Sequence, residues 1–101
     1  MEISLKREGQ VLTVFLSGEL DHHTVSKVKE TVDTQLTVLP VRLLVLDMAG
    51  ITFMDSSGIG LIVGRYNRIS NLGGKMKITN PNDTLLKILK MSGIGQLMKI
   101  G

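Results

Sequence analysis

The stretch Phe53-Met54-Asp55-Ser56-Ser57-Gly58-Ile59-Gly60 gathers the side chains best suited to chemistry, two hydroxyls beside a carboxylate among small residues. Four readings compete for it. A serine nucleophile on a strand-to-helix elbow needs Gly-x-Ser-x-Gly, and neither Ser56 nor Ser57 has a glycine two residues before it. A base for such a nucleophile would have to come from His22 or His23, brought there by the fold alone. A dinucleotide fingerprint needs Gly-x-Gly-x-x-Gly, whereas Gly58, Gly60 and Gly64 follow Gly-x-Gly-x-x-x-Gly. Gly73-Gly74-Lys75 likewise lacks the earlier glycine of a phosphate-binding loop. The third reading is structural: Ser56 and Ser57 cap a helix whose glycines pack. The fourth is a phosphoacceptor, because a helix N-terminus offers free N–H groups and a positive dipole end that hold a phosphoserine without refolding the domain. A phosphate adds about −1.5 to −2 charge beside Asp55, and at a desolvated interface that repulsion costs about 2 to 4 kcal/mol, or roughly 30- to 1000-fold in affinity.

His22 and His23 are the other candidates. Adjacent histidines at a helix start chelate a metal poorly, and no carboxylate-rich cluster accompanies them, so no metal site is expected. The expectation is that one packs and the other builds a binding surface next to Asp21. The chain has no cysteine, which leaves no disulfide framework, thiolate metal site or cysteine nucleophile. Its six methionines read mostly as core filler, with Met54, Met91 and Met98 able to form an adaptable patch.

Alternating apolar residues at Ile3 and Leu5, then along Val11 to Leu16, predict two strands turning at Glu8-Gly9-Gln10. Val25, Val28, Val32, Leu36 and Leu39 recur three and four apart, an amphipathic helix capped by Asp21 or Thr24 and ended near Pro40. The continuous run Leu43-Leu44-Val45-Leu46 fits a central strand buried on both faces. A loop is expected over 49–54, and a second helix from Ser56 or Ser57 to Gly73-Gly74, carrying Ile59, Ile62, Val63, Tyr66 and Ile69. Gly60 and Gly64 share a face of that helix and are expected to let it approach a neighbour closely. Lys75 to Thr79 alternates as a short strand. Asn80-Pro81 is expected to cap a third helix holding Leu85, Ile88 and Leu89, and 97–100 reads as a weak last strand.

Strands interleaved with helices predict a single α/β domain over 1–101, a mostly parallel sheet beginning in an antiparallel hairpin, with amphipathic helices packed on it. Hydrophobic residues at 43% and charged residues at 21% exclude a disordered chain. Met1 to Glu8 mixes apolar and charged residues, unlike a signal peptide, and no apolar run reaches the roughly 20 residues of a membrane span. A net charge of +3 raises nucleic-acid binding, but the basic residues are scattered and aromatics are only 3%, so stacking platforms and a basic stripe are missing.

The segments Gly18-Glu19-Leu20-Asp21-His22-His23-Thr24, Phe53 to Gly60, Gly64-Arg65-Tyr66 and Met91-Ser92-Gly93-Ile94 resemble the STAS-domain anti-sigma factor antagonists, and among them the sporulation branch that acts on anti-sigma F factors. The resemblance implies a cytoplasmic, non-enzymatic partner-switching protein without cofactor. Its unphosphorylated form would bind an anti-sigma factor that is also a serine kinase, releasing a sporulation sigma factor. ATP-dependent phosphorylation would dissociate it, and a membrane-associated, metal-dependent PP2C-type phosphatase would restore it. Carried over by position, the phosphoacceptor is Ser56, with Ser57 next to it where relatives can carry threonine. Asp21, His22, His23, Asp55, Ser56, Ser57, Gly58 and Ile59 would form the partner-binding surface, and the free protein is expected to be a monomer. The alternative is a STAS module serving a stress-signalling or lipid-transport complex. Family members usually continue past the last strand into a further helix; its apparent absence after Gly101 leads to the expectation that Leu12, Leu97 or their neighbours are exposed.

Overall fold

The first strand pair is set by its turn: Gly9, at φ +60°, lets the chain reverse between β1 (Glu2–Glu8) and β2 (Val11–Leu20) in an antiparallel hairpin. In the computed structural model, which describes residues 1–101, α1 (Val25–Val38), β3 (Leu43–Met54), α2 (Ser56–Asn71), β4 (Lys75–Thr79), α3 (Asp83–Met91), a single turn of 3-10 helix (Ile94–Gln96) and β5 (Lys99–Ile100) follow. The five strands lie in the order β1-β2-β3-β4-β5, and every neighbour after the hairpin is parallel. The mixed, mostly parallel sheet read from the sequence is therefore the one observed.

Strand parity decides what is buried. Leu12 and Val14 of β2 pair in register with Leu44 and Leu46 of β3 and, beyond them, Met76 and Ile78 of β4, while Leu16, on the same parity of β2, is buried beside a register shift. Together with Val28, Val32 and Leu36 of α1, Leu61, Ile62 and Ile69 of α2, and Leu85 and Leu89 of α3, they form one cluster of 22 buried residues. Burying a side chain of this size is worth about 1.5–3 kcal/mol, so the apolar periodicities in strand and helix converge on one core. Val45 and Asp47 stand on the opposite parity of β3, and both are still buried. Asp47 binds across to β4, its Oδ2 accepting from Thr79 Oγ1 at 2.9 Å and Asn80 Nδ2 at 2.7 Å, and its Oδ1 from the Ala49 N–H at 3.0 Å.

Several expectations need correction. The segment 49–54 is strand, because β2 runs on to Leu20 and supplies partners for it, with register shifts around Ser17 and at Gly18, whose φ of +115° accommodates the irregularity. Asn80 and Pro81 precede α3 without capping it. The Asn80 amide is committed to Asp47 and its backbone is left-handed at φ +57°, so Asn82 takes the cap, its Oδ1 accepting from the Leu85 N–H at 2.9 Å. Leu39 lies past the end of α1 and is 52% exposed. The last strand is only two residues long, and Leu12 is fully buried beneath the helices, while Leu97 is exposed as expected.

Candidate functional site

The parallel pairing of β2 and β3 brings the two sequence segments of interest to one edge of the sheet. Leu20 and Met54 are register partners, and the Asp55 N–H donates to the Leu20 carbonyl at 3.2 Å. Both strands therefore release their chains side by side at their carboxyl ends, the usual position for sites in parallel sheets. From β2 the chain enters a tight turn. Asp21 Oδ1 accepts from the His23 N–H at 2.9 Å and the Thr24 N–H at 3.2 Å, while Thr24 Oγ1 donates to the Glu19 carbonyl at 2.8 Å. These bonds satisfy backbone groups just ahead of α1, and the side chain at its cap position, Thr24, is turned back toward Glu19.

From β3 the chain passes directly into α2 through Asp55, which caps the helix: Oδ1 accepts from the Ser57 N–H at 2.8 Å. Ser56 and Ser57 thus occupy the first turn, with Ser56 exposed and Ser57 half-buried. Gly58 is buried because there is no room for anything larger. A Cβ there would come within 2.8 Å of Met54 Sδ and 3.2 Å of Leu20 Cδ2, so this glycine lets the first turn seat on the strand ends. Ile59 packs against the core from the next position. The Asp55 carboxylate is pushed up by burial, yet the N–H and hydroxyl of Ser57 and the His22 donors outweigh this and hold it below the usual carboxylate range.

His22 supplies the link between the two loops. Its Nδ1 lies 3.7 Å from Asp55 Oδ2, and its ring rests against that of His23 at a centroid distance of 3.9 Å. Both histidines are exposed, which corrects the expectation that one packs inside: Asp21 turns the chain outward before the core-facing stripe of α1 begins at Val25. Asp21, His22 and His23 lie in the turn after β2, Asp55 caps α2, and Ser56, Ser57, Gly58 and Ile59 form the start of that helix, so all eight fall in two adjoining segments. The His22 ring faces Asp55 rather than a serine, so this arrangement contains no nucleophile–base contact of the kind acyl transfer uses. What it offers is an exposed hydroxyl on the positive end of a helix, flanked by one carboxylate.

Three features around the site add to or correct the sequence reading. Phe53, the penultimate residue of β3, is 49% exposed beside the site, because the register shift between Gly18 and Glu19 breaks the alternation after the buried Ile51. Gly60 and Gly64 do not make the close helix approach expected of them, since a Cβ at either position meets nothing within 4 Å. Of the three methionines proposed as a patch, Met54 and Met98 are buried and only Met91 is exposed.

Comparison with known proteins agrees with this construction. The STAS domain family model matches residues 2–101. An anti-sigma F factor antagonist of Paenibacillus polymyxa is 39% identical over 100 residues, covering 99% of this chain and 86% of that protein. The solved structure of the anti-sigma factor antagonist SpoIIAA in its unphosphorylated form superposes with a TM-score of 0.86 at 30% identity, over 99% of this chain and 88% of that one. The Bacillus cell fate determinant SpoIIAA in its phosphorylated form gives 0.78 at 30% identity, over 99% and 91%. With the hairpin-led parallel sheet and the two loops at its carboxyl edge already in place, the chain belongs to the family of STAS-domain anti-sigma factor antagonists.

Proposed function

We propose that this protein is a phosphorylation-controlled antagonist of an anti-sigma factor in the cytoplasm, acting by binding and performing no catalysis of its own. Unphosphorylated, it binds an anti-sigma factor serine kinase through the Asp21–Thr24 turn and the Asp55–Ile59 helix start, and a sporulation sigma factor is released. Phosphorylation on Ser56 ends the complex, and a PP2C-type phosphatase reverses it. The observation that carries the reading is the exposure of Ser56 at the first position of α2, beside a capping carboxylate and the His22 turn. Its relatives, one of them solved in a phosphorylated form, support the same assignment.

The physical basis is a change of charge on a surface that is already built. The helix start supplies N–H donors and dipole to tolerate the phosphate, so the dianion is accommodated by the fold and felt by the partner. No helix is long and apolar enough to cross a membrane. Incubation with the anti-sigma factor kinase of the same organism and ATP, followed by intact-mass and tryptic mass spectrometry, should show one phosphate on Ser56 that is lost in Ser56→Ala and retained in Ser57→Ala. Binding without any phosphate would refute the switch.

A further inference from the structure

A groove of about 270 Å³ runs between α1 and α2, with Ser57, Gly60, Gly64 and Arg65 on one side and Val25 and Lys29 on the other. Glycine is the least favourable interior helix residue after proline, and Gly60 and Gly64 both lie inside α2 with open space where a Cβ would stand. No neighbour within the fold requires their bareness, so the clearance they leave belongs to the outer surface.

The charge along the groove is of one sign. Lys29 and Arg65 are its only ionisable residues of formal charge, and both are cations. Lys29 is exposed and makes no ion pair. Arg65 is buried, and its Nε lies 3.0 Å from Asp33 Oδ1, but Arg68 Nε approaches the same oxygen at 3.6 Å. One carboxylate oxygen thus serves two guanidinium groups, and neither Nε has a well-directed hydrogen bond. Burial pushes the Arg65 guanidinium below its ordinary value, with Asp33 opposing and Arg68 adding to the effect. The groove is also continuous with the switch surface, because Ser57 lines its end and Ser56 is the next residue.

We propose that this groove is a second foothold for the anti-sigma factor: a segment of that partner crosses the Gly60–Gly64 floor and sets an aspartate or glutamate carboxylate against Lys29 and Arg65. The inference rests on the partner reading above and assigns the place where the partner's acid lands. It also gives the phosphate something specific to oppose. A dianion on Ser56 and the incoming carboxylate are like charges at one mouth of one groove, so modification expels the segment that the two cations attract.

The test uses the full chain, the purified anti-sigma factor kinase and an affinity measurement, with urea unfolding run on every variant. Lys29→Glu should weaken binding by about tenfold or more and reduce its salt dependence, whereas Lys27→Glu, on α1 but outside the groove, should change it by about twofold or less. Gly64→Leu should also weaken binding by about tenfold while the fold becomes no less stable, since a Cβ there meets nothing within 4 Å and the change replaces a poor helix former. Opposite signs in stability and affinity would mark an outward-facing role. Wild-type binding with Lys29→Glu and Gly64→Leu both within about twofold of it would overturn the groove and leave the phosphorylation switch intact. Failure of the wild type itself to bind would remove the partner reading and the groove with it.

Discussion

Asp33→Ala should be among the more damaging substitutions in this protein despite lying on a solvent-facing helix. The Asp33 side chain is 19% exposed and the Arg65 side chain 9%, and their contact at 3.0 Å ties α1 to α2. Breaking a fully buried ion pair from one side costs about 3–5 kcal/mol, most of it the penalty of an uncompensated buried charge. Here the neighbouring Arg68 is 41% exposed and water reaches part of the site, which lowers the expected loss to about 2–3 kcal/mol. For a domain of this size that corresponds to a fall in Tm of roughly 10–20 °C. Arg65→Met should be milder, at about 1 kcal/mol, because Asp33 retains Arg68 at 3.6 Å and a methionine replaces much of the buried stem. Urea denaturation of both single variants and the double variant, with unchanged m, gives the comparison and the coupling between them. A loss below about 1 kcal/mol for Asp33→Ala, or a larger loss for Arg65→Met, would refute the argument that the carboxylate is the limiting partner.

Gly58→Ala should destabilise by about 1 kcal/mol in the same assay, because crowding against Met54 and Leu20, a cost of about 1–3 kcal/mol, exceeds the gain in helix propensity; Gly60→Ala should stabilise instead. Asp55 is held below the usual carboxylate range, so its contribution is complete above the unfolded aspartate value and is lost as pH falls through the lower folded value. Asp55→Asn keeps a capping oxygen without that titration, and the advantage of the wild type in thermal unfolding should therefore shrink on acidification; a pH-independent difference would contradict the assigned donors. Ser56→Asp should reproduce only part of the phosphate effect on kinase binding, since it brings one charge and fewer acceptor oxygens, and wild-type affinity in that variant would argue against repulsion as the cause of release.

The features visible in the sequence were those governed by neighbours a few residues away. Parity along Val11 to Leu16, the three-four spacing of Val28, Val32 and Leu36, and the helix start at Ser56 all act locally, and all appear in the structure, although the cap expected of Ser56 and Ser57 is supplied by Asp55. The failures share a different origin. Residues 49–54 become strand because β2 continues alongside them, and Asn80 abandons its cap because a carboxylate 33 residues earlier takes its amide. The approach of His22 to Asp55 depends on the same long-range pairing. Gly60 and Gly64 stood out by composition, but only the space around them showed that they face outward rather than toward a packed neighbour.

The two loops of the site are joined through main-chain atoms, by the Leu20–Met54 register pair and the Asp55 N–H to Leu20 carbonyl bond. Main-chain pairing is indifferent to which side chains it carries. Residues 21–24 and 55–60 can therefore diverge in sequence between paralogues while their mutual placement persists, provided the buried Gly58 is kept. Several such proteins in one cell would share a frame and differ only in outward chemistry, so that parallel signalling circuits could be insulated from one another by a handful of substitutions at the rim, without the fold being reinvented for each.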